Sequence, residues 1–509
     1  MIEGFPSTSQ NEMAPGLAWG VPQVPQPASR RPLPSTSTPS QRRHSSLPPM
    51  AVQKPGGGRG GTGSVYLGLD FGTSGARCVG VDPFGRVVYE RSETYPAGKA
   101  GDADAWRVTL MNLLRGLPAD QRSHVEGVAF DGTSASVLMC DRDSGELLCA
   151  PMMYSEAMDS SAVDAVRAAA PPFHTATAST SSLCKLVSFW GRASDDEKAR
   201  AVLSHQCDWL SWLLHGEMGV SDDTNSLKLG WDPEPSARAF PPWLLGMCGG
   251  QLKGALPWKV VPPGSVVGTV SDDSPLWRGG SAEPLLPSSA QVIAGTTDSL
   301  AAFVAADTSG GRPGFAVTSL GSTLALKMAS DTRVDDARYG VYSHRIGGRW
   351  LVGGASNTGG AVLRHLGYDN SSLQKLSRDI DPGIASGEAA ELYPLARKGE
   401  RFPVADDGLE PKLGNVRMDD PEYLHAVLEA IALIEGKGYA LLQDLGASPL
   451  VEVVSAGGGA ANDAWTAIRA RVLGTRVTAA AQSEAAYGAA LLARQGCLGL
   501  ETYADGVER

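Results

Sequence analysis

Two short stretches decide how this chain is read: Leu69-Asp70-Phe71-Gly72-Thr73-Ser74-Gly75-Ala76-Arg77 and Thr318-Ser319-Leu320-Gly321-Ser322-Thr323-Leu324-Ala325-Leu326. Each is an apolar strand, a turn of glycine and hydroxyl residues, and a second strand. Glycine lets backbone N–H groups approach a ligand closely, and the hydroxyls add donors, so such a turn is a ready anion site. Taken alone, either stretch also reads as an ordinary hairpin turn. They lie 249 residues apart, one in each half of the 509-residue chain. Two similar half-molecules imply two related α/β domains with a ligand between them.

Working outward from the first stretch, strands are predicted at 65–69, 77–81, 86–90, 125–130 and 136–140, with helices at 105–117, 156–170 and 205–214. Around the second stretch, strands are predicted at 291–295, 315–320, 323–328, 350–354 and 451–456. Helices are expected at 299–306, 361–367, 421–445, 463–473 and 483–494. The domain boundaries that follow are 64–304 and 305–509.

Four features along this frame carry chemistry. Asp70 stands at a strand end before Thr73 and Ser74, where a carboxylate is suited to hold Mg2+ through water. Asp298, in Ala294-Gly-Thr-Thr-Asp298, stands where a strand gives way to a helix. It reads either as a helix cap or as a general base that takes a proton from a hydroxyl nucleophile. Gly457-Gly458-Gly459, followed by Asn462 and Trp465, offers bare backbone against which an adenine ring can lie. Asn462 is placed to bond the base or ribose and Trp465 to cover it, or else both serve the helix and the core. Gly353-Gly354 through Gly359-Gly360 is a further glycine-rich strand-to-helix loop, suited to line phosphates. Asp131, in Phe-Asp-Gly-Thr-Ser, is read as part of a plain turn.

Composition narrows the classes. Hydrophobic residues make up 42% and charged residues 19%, as in globular proteins, and the formal charge of −11 comes without a basic cluster past residue 60. Nucleic acid is therefore not an expected partner, and no apolar run reaches the length of a membrane helix. Seven cysteines without C-x-x-C spacing suggest neither a disulfide framework nor a zinc site. Residues 1–63 are a separate object: rich in Ser, Pro and Gly, with six basic residues against Glu3 and Glu12. Such a composition cannot build a core and marks an organelle transit peptide, with a plain disordered tail as the competing reading. A chloroplast is the expected destination, with mitochondrion or cytoplasm as alternatives.

The order of these loops resembles that of the FGGY carbohydrate kinases, in the actin-like ATPase superfamily, from about Tyr66 to Arg494. Within that family the chain is most similar to the plant and cyanobacterial xylulose-kinase-like group that phosphorylates D-ribulose. The likeness rests on Gly68–Arg77, Val128–Ser134, Ser221-Asp-Asp-Thr-Asn-Ser-Leu-Lys-Leu-Gly-Trp-Asp232 and Gly295–Ser299. The resemblance implies two ribonuclease-H-like domains closing over ATP and a small sugar. It implies Asp70 near the metal and sugar, with Ser74, Gly75, Ala76 and Arg77 beside the substrate, and Asp298 as catalytic base. Thr73, Ser319, Gly321, Ser322 and Gly359 would meet the phosphates, and Gly457, Gly458, Gly459, Asn462 and Trp465 the adenosine. Typical xylulose and glycerol kinases carry Gln or Arg in the loop where this chain has Phe-Asp-Gly-Thr-Ser, which argues against glycerol. A non-enzymatic nucleotide switch of the actin or chaperone kind is the rival reading.

Overall fold

The structure, a computed structural model, describes residues 63–278 and 284–508; apart from Gly63, the expected leader segment lies outside them. The two hairpins of the opening stretches each nucleate a sheet. In the first, Val65–Phe71 (β1) and Gly75–Val81 (β2) pair antiparallel, and Val87–Thr94 (β3) extends the ribbon. Val125–Gly132 (β4) then pairs parallel with β1 after a crossover through the helix Ala103–Gly116 (α1). Val266–Thr269 (β5) and Gln291–Thr297 (β6) complete a sheet of order β3-β2-β1-β4-β6-β5.

The second sheet repeats the scheme. Phe315–Leu320 (β7) and Leu324–Ser330 (β8) form the hairpin, Tyr342–Ile346 (β9) and Arg349–Ser356 (β10) extend it, and Glu452–Ala456 (β11) and Arg476–Ala479 (β12) run parallel to β7. Its order is β9-β10-β8-β7-β11-β12. Five strands of each sheet therefore share one topology: an antiparallel triple followed by two parallel neighbours.

Helices fill the faces. Gln206–His215 (α2) and α1 lie on the first sheet. Asp298–Ala306 (α3) follows β6, and Gly360–His365 (α4) follows β10. Pro421–Asp444 (α5) and Asp463–Leu473 (α6) cover the second sheet, with Tyr423, Val427, Ile431, Ile434 and Ile468 in its core. Between 137 and 256 an inserted cluster builds its own small core around Leu183, Leu186, Phe189 and Leu244. Its helix Ser182–Arg192, capped by Ser181, is absent from the sequence reading. The helix expected from 156 starts only at Ser160, because Asp159 accepts the N–H of Ala162 at 3.0 Å and caps it there.

The last helix, Ala485–Leu498 (α7), ties the halves together. It packs on β1, β4 and α3, and with Ile293, Phe303, Phe315 and Val317 it forms a third core between the two sheets. The fit depends on glycine. A Cβ at Gly488 would meet the Ala301 carbonyl oxygen at 1.9 Å, and one at Gly68 would meet the Ala486 oxygen at 2.0 Å.

A buried ion pair organises the second half. Arg469 donates to Glu435 through Nε at 2.6 Å and Nη2 at 2.7 Å, and both side chains have no exposure. Thr318 of β7 donates to Glu435 at 2.5 Å, and Arg469 donates to Ser455 of β11 at 2.5 Å. Both strands are thus pinned just before their loops, which open after Leu320 and Ala456.

Gly488→Ala should cost about 2 kcal/mol or more, since the new methyl meets backbone rather than a mobile side chain. Gly191→Ala, which meets nothing within 4 Å in another helix, should be neutral or stabilise by up to about 1 kcal/mol. Urea unfolding of the two variants side by side checks the contrast.

Candidate active site

The chemistry-bearing residues of the first domain gather where three parallel strands end. Asp70 of β1 stands in register with Asp131 of β4, and Asp131 with Thr296 of β6. Ligands of open α/β sheets bind at such carboxyl ends. Asp298 follows two residues later. It is the first residue of α3, not its cap; Thr297 holds that place and makes no side-chain cap bond. The Asp298 Oδ1 accepts the Ser299 N–H at 2.6 Å. Strand β6 runs two residues past its expected end because a register shift against β4 falls between Ile293 and Thr296, with Gly295 pressed on the Phe130 carbonyl.

Asp131 corrects the sequence reading. It is no turn residue but the penultimate residue of β4, with no exposure and no hydrogen-bond partner on either oxygen. Burial, and then the Asp70 charge, push its carboxyl well above the usual carboxylate range. Asp70 is raised as well, chiefly by burial, while Asp131 and Arg77 pull it down. Burial beside a second carboxylate thus favours the neutral form of Asp131.

The residues present fit a hard cation. Asp70 Oδ1 is buried without a partner beside the Gly72 turn, and oxygen donors with waters are what Mg2+ prefers. The turn itself is open: Gly72 donates to the Gly75 carbonyl at 3.1 Å, and Thr73 and Ser74 are exposed. Gly75 and Arg77 begin β2, with Arg77 directly across from Asp70. The Arg77 guanidinium is engaged by Glu484 and by Ser92 at 3.2 Å. Ala76 is buried in the core and offers only its backbone.

On the second domain, Ser319, the penultimate residue of β7, stands beside Ala456 of β11, and Gly321 and Ser322 form the turn. Gly359, just before α4, closes on that turn. The N–H of Gly360 donates to the Gly321 carbonyl at 2.8 Å and that of Ala361 to the Ser322 carbonyl at 3.0 Å. Arg364 brings a guanidinium to the Ser322 hydroxyl at 2.8 Å, a cation beside this hairpin that the sequence reading did not single out. Gly457, at φ 82°, turns the chain out of β11 against the Leu320 carbonyl, and Gly457 and Gly458 present exposed backbone. Trp465 departs from its expected role. It is 2% exposed, donates to the Leu428 carbonyl at 3.1 Å and lies in the core, so it does not cover a ligand ring from there. Asn462 caps α6 by accepting the Trp465 N–H at 2.9 Å, and its amide donates to Ser377 at 2.8 Å.

The acids of the Ser221–Asp232 segment are all engaged, Asp232 by Arg333 at 2.8 Å. Asp222 accepts from Thr224 and Asn225 backbone at 2.8 and 3.0 Å, and Asp223 from Trp231 and Arg238 at 2.9 and 2.8 Å. Asn225 is consumed by Asp222 and Cys207. What the segment delivers is Lys228, whose charge reaches Asp298, as does that of Lys327 on β8. Neither lysine stood out in the sequence. Burial raises the Asp298 carboxyl, and the Ser299 N–H and these two cations draw it back. The donor atoms of Cys207, Asp208 and Asp222 also converge within 4.8 Å, but the Asp222 carboxylate is already fully bonded. Among the described residues no helix is long and apolar enough to cross a membrane.

A buried carboxyl raised in the folded state favours folding at low pH, and that contribution is lost as pH rises through its folded value. Asp131→Asn removes this loss. In chelator-treated buffer the variant should melt above the parent at pH 7.5, and the difference should shrink toward pH 4, as followed by scanning calorimetry.

Residues 316–495 match the FGGY family of carbohydrate kinases, C-terminal domain. A 132-residue stretch, 25% of the chain, is 33% identical to the xylulose kinase of Bacillus subtilis (strain 168) and spans only 26% of that protein's length. Among solved structures, the xylulose kinase from Rhodospirillum rubrum superposes with a TM-score of 0.70 at 24% identity, covering 87% of this chain and 92% of that one. Gluconate kinase from Lactobacillus acidophilus gives 0.67 at 17% over 87% and 91%. Glycerol kinase from Plasmodium falciparum gives 0.65 at 17% over 84% and 89%. These structural likenesses, all below 25% identity, show a shared α/β fold with two sheets. The family match is to the C-terminal domain alone, over residues 316–495.

Proposed function

We propose that the chain is an ATP-dependent sugar kinase acting on a pentulose, converting D-ribulose to D-ribulose 5-phosphate. The observation that carries the kinase reading is the Asp298 carboxylate, unspent as a helix cap and raised by burial, at the strand ends beside the Gly72–Ser74 turn. A sugar hydroxyl is a poor nucleophile. Its oxygen attacks the γ-phosphorus, the bond to the ADP oxygen breaks, and the hydroxyl proton passes to Asp298. A carboxylate raised toward neutrality is the better base for that task. Mg2+, when bound near Asp70, offsets the charge of the β- and γ-phosphates. The hydroxyls of Thr73 and Ser319 and the backbone of Gly321, Ser322 and Gly359 supply donors to the phosphates. Gly457, Gly458 and Gly459 give the base a flat backbone surface.

D-ribulose is favoured by the Phe-Asp-Gly-Thr-Ser loop, whose buried Asp131 stands where typical xylulose and glycerol kinases carry Gln or Arg. D-xylulose is the second reading, supported by the likeness to xylulose kinases. A sugar-independent nucleotide switch is the third, and Asp298 counts against it. Residues 1–63 are proposed to be a plastid transit peptide on their acid-poor, Ser- and Arg-bearing composition.

Coupled ADP-release assays over D-ribulose, D-xylulose, L-ribulose, glycerol and ribitol should show the highest kcat/KM with D-ribulose. Failure of every sugar to stimulate turnover rejects the kinase reading. Asp298→Asn should lower kcat by about 10^2–10^4 while ATP still binds. Near-normal turnover would remove Asp298 from its role. Residues 1–63 fused to a fluorescent protein should direct it to plastids; a cytosolic signal rejects the leader.

A further inference from the structure

Lys327 reaches from the second domain to the first turn of α3. Its ammonium donates to the Ser299 carbonyl at 2.5 Å, and the N–H of the same Ser299 holds the Asp298 carboxylate at 2.6 Å. One residue of α3 therefore carries the lysine on one side and the carboxylate on the other. Lys327 lies on β8, the strand that leaves the Gly321–Ser322 turn, and pairs with Val317 of β7 and Gly353 of β10. Gly353 makes room for it: a Cβ there would press on Lys327 Cγ at 3.3 Å. A lysine placed for solvation would point into water; this one crosses to the opposite domain and ends on a backbone oxygen.

The charged surroundings are mixed. Asp298 is faced by Lys327 of β8 and Lys228 of the turn at 226–229, and its own charge is felt by Asp70 of β1 and Asp131 of β4. His344 of β9 faces both lysines, and burial holds it well below its usual range, so it is neutral near pH 7. Burial and then Lys228 draw the Lys327 ammonium down, Asp298 supports it, and the balance leaves it at about 7. Without these cations, burial would favour the protonated form of Asp298, opposed only by the Ser299 N–H.

We propose that Lys327 is the positioning residue for Asp298: it ties the phosphate hairpin of the second domain to the first turn of α3 and keeps the carboxylate ionised where the sugar hydroxyl must give up its proton. This rests on the reading of Asp298 as the base. A merely structural tether would change stability or KM, and it would leave the ionisation of the base where it is.

The test is the pH profile of kcat/KM for the preferred sugar at saturating MgATP, on the full chain, for Lys327→Met, Lys327→Gln and Lys327→Arg. Losing the cation should move the acid limb up by about one pH unit in the Met and Gln variants and lower kcat about tenfold or more. The Arg variant, which keeps the charge, should keep the limb at its parental position. An acid limb unchanged in both the Met and Gln variants overturns the proposal, whatever happens to kcat. A parent protein without sugar-stimulated turnover would instead overturn the kinase reading, so the two failures are distinguishable.

Discussion

The seating of α7 is the constraint on which the rest depends. Gly488 lets this helix meet α3 backbone to backbone at Ala301, and Gly68 lets it lie on β1. The first strand of the described chain, the helix that opens with Asp298 and the last helix are thereby one packed unit. The third core joins them to Phe315 and Val317, the start of the strand that leads to the second hairpin. Close packing of this kind transmits position, because an interior at crystal density has no slack for a helix to drift. Asp70 and Asp298 keep their spacing because the elements carrying them share this wall.

The second half solves the same problem with charge. Glu435 and Arg469 satisfy each other and reach Thr318 and Ser455, so β7 and β11 are fixed just before their loops open. A buried ion pair adds little net stability but strongly penalises arrangements that break it. That is the property needed beneath glycine-rich loops that have few side chains of their own to hold them. The two halves thus share a topology and differ in what locks it: glycine contact in one, a hydrogen-bonded ion pair in the other.

Much of the fold was legible because its signals are local. The hairpins at 69–77 and 318–326, the 24-residue helix Pro421–Asp444 and the strand into Gly457 all follow from apolar periodicity and glycine placement. The site was legible in part, for the same reason: Asp70 and Asp298 stand at strand ends. Asp131 was read as a turn because Asp-Gly-Thr-Ser has turn composition. Pairing with β1 and β6 extended the strand through it. Trp465 beside a glycine run looked like a ring cover, yet its indole found a carbonyl inside the helix layer. The helix Ser182–Arg192 escapes the sequence because residues 182–187, Phe189 and Trp190 are all buried, so burial does not follow a single apolar stripe.

Local chemistry therefore determined the fold class, the order of the loops and the two carboxylates at their strand ends, since each depends on neighbours in sequence. Tertiary structure alone decided which charges face which. Lys228 and Lys327 come from segments remote from Asp298 and reach it only after two sheets and an insert have assembled. The pairing of Asp70 with Asp131 likewise exists only across a parallel ladder whose strands are joined by a crossover. Burial depth and through-space charge set how such groups ionise, and neither is a property of spacing along the chain.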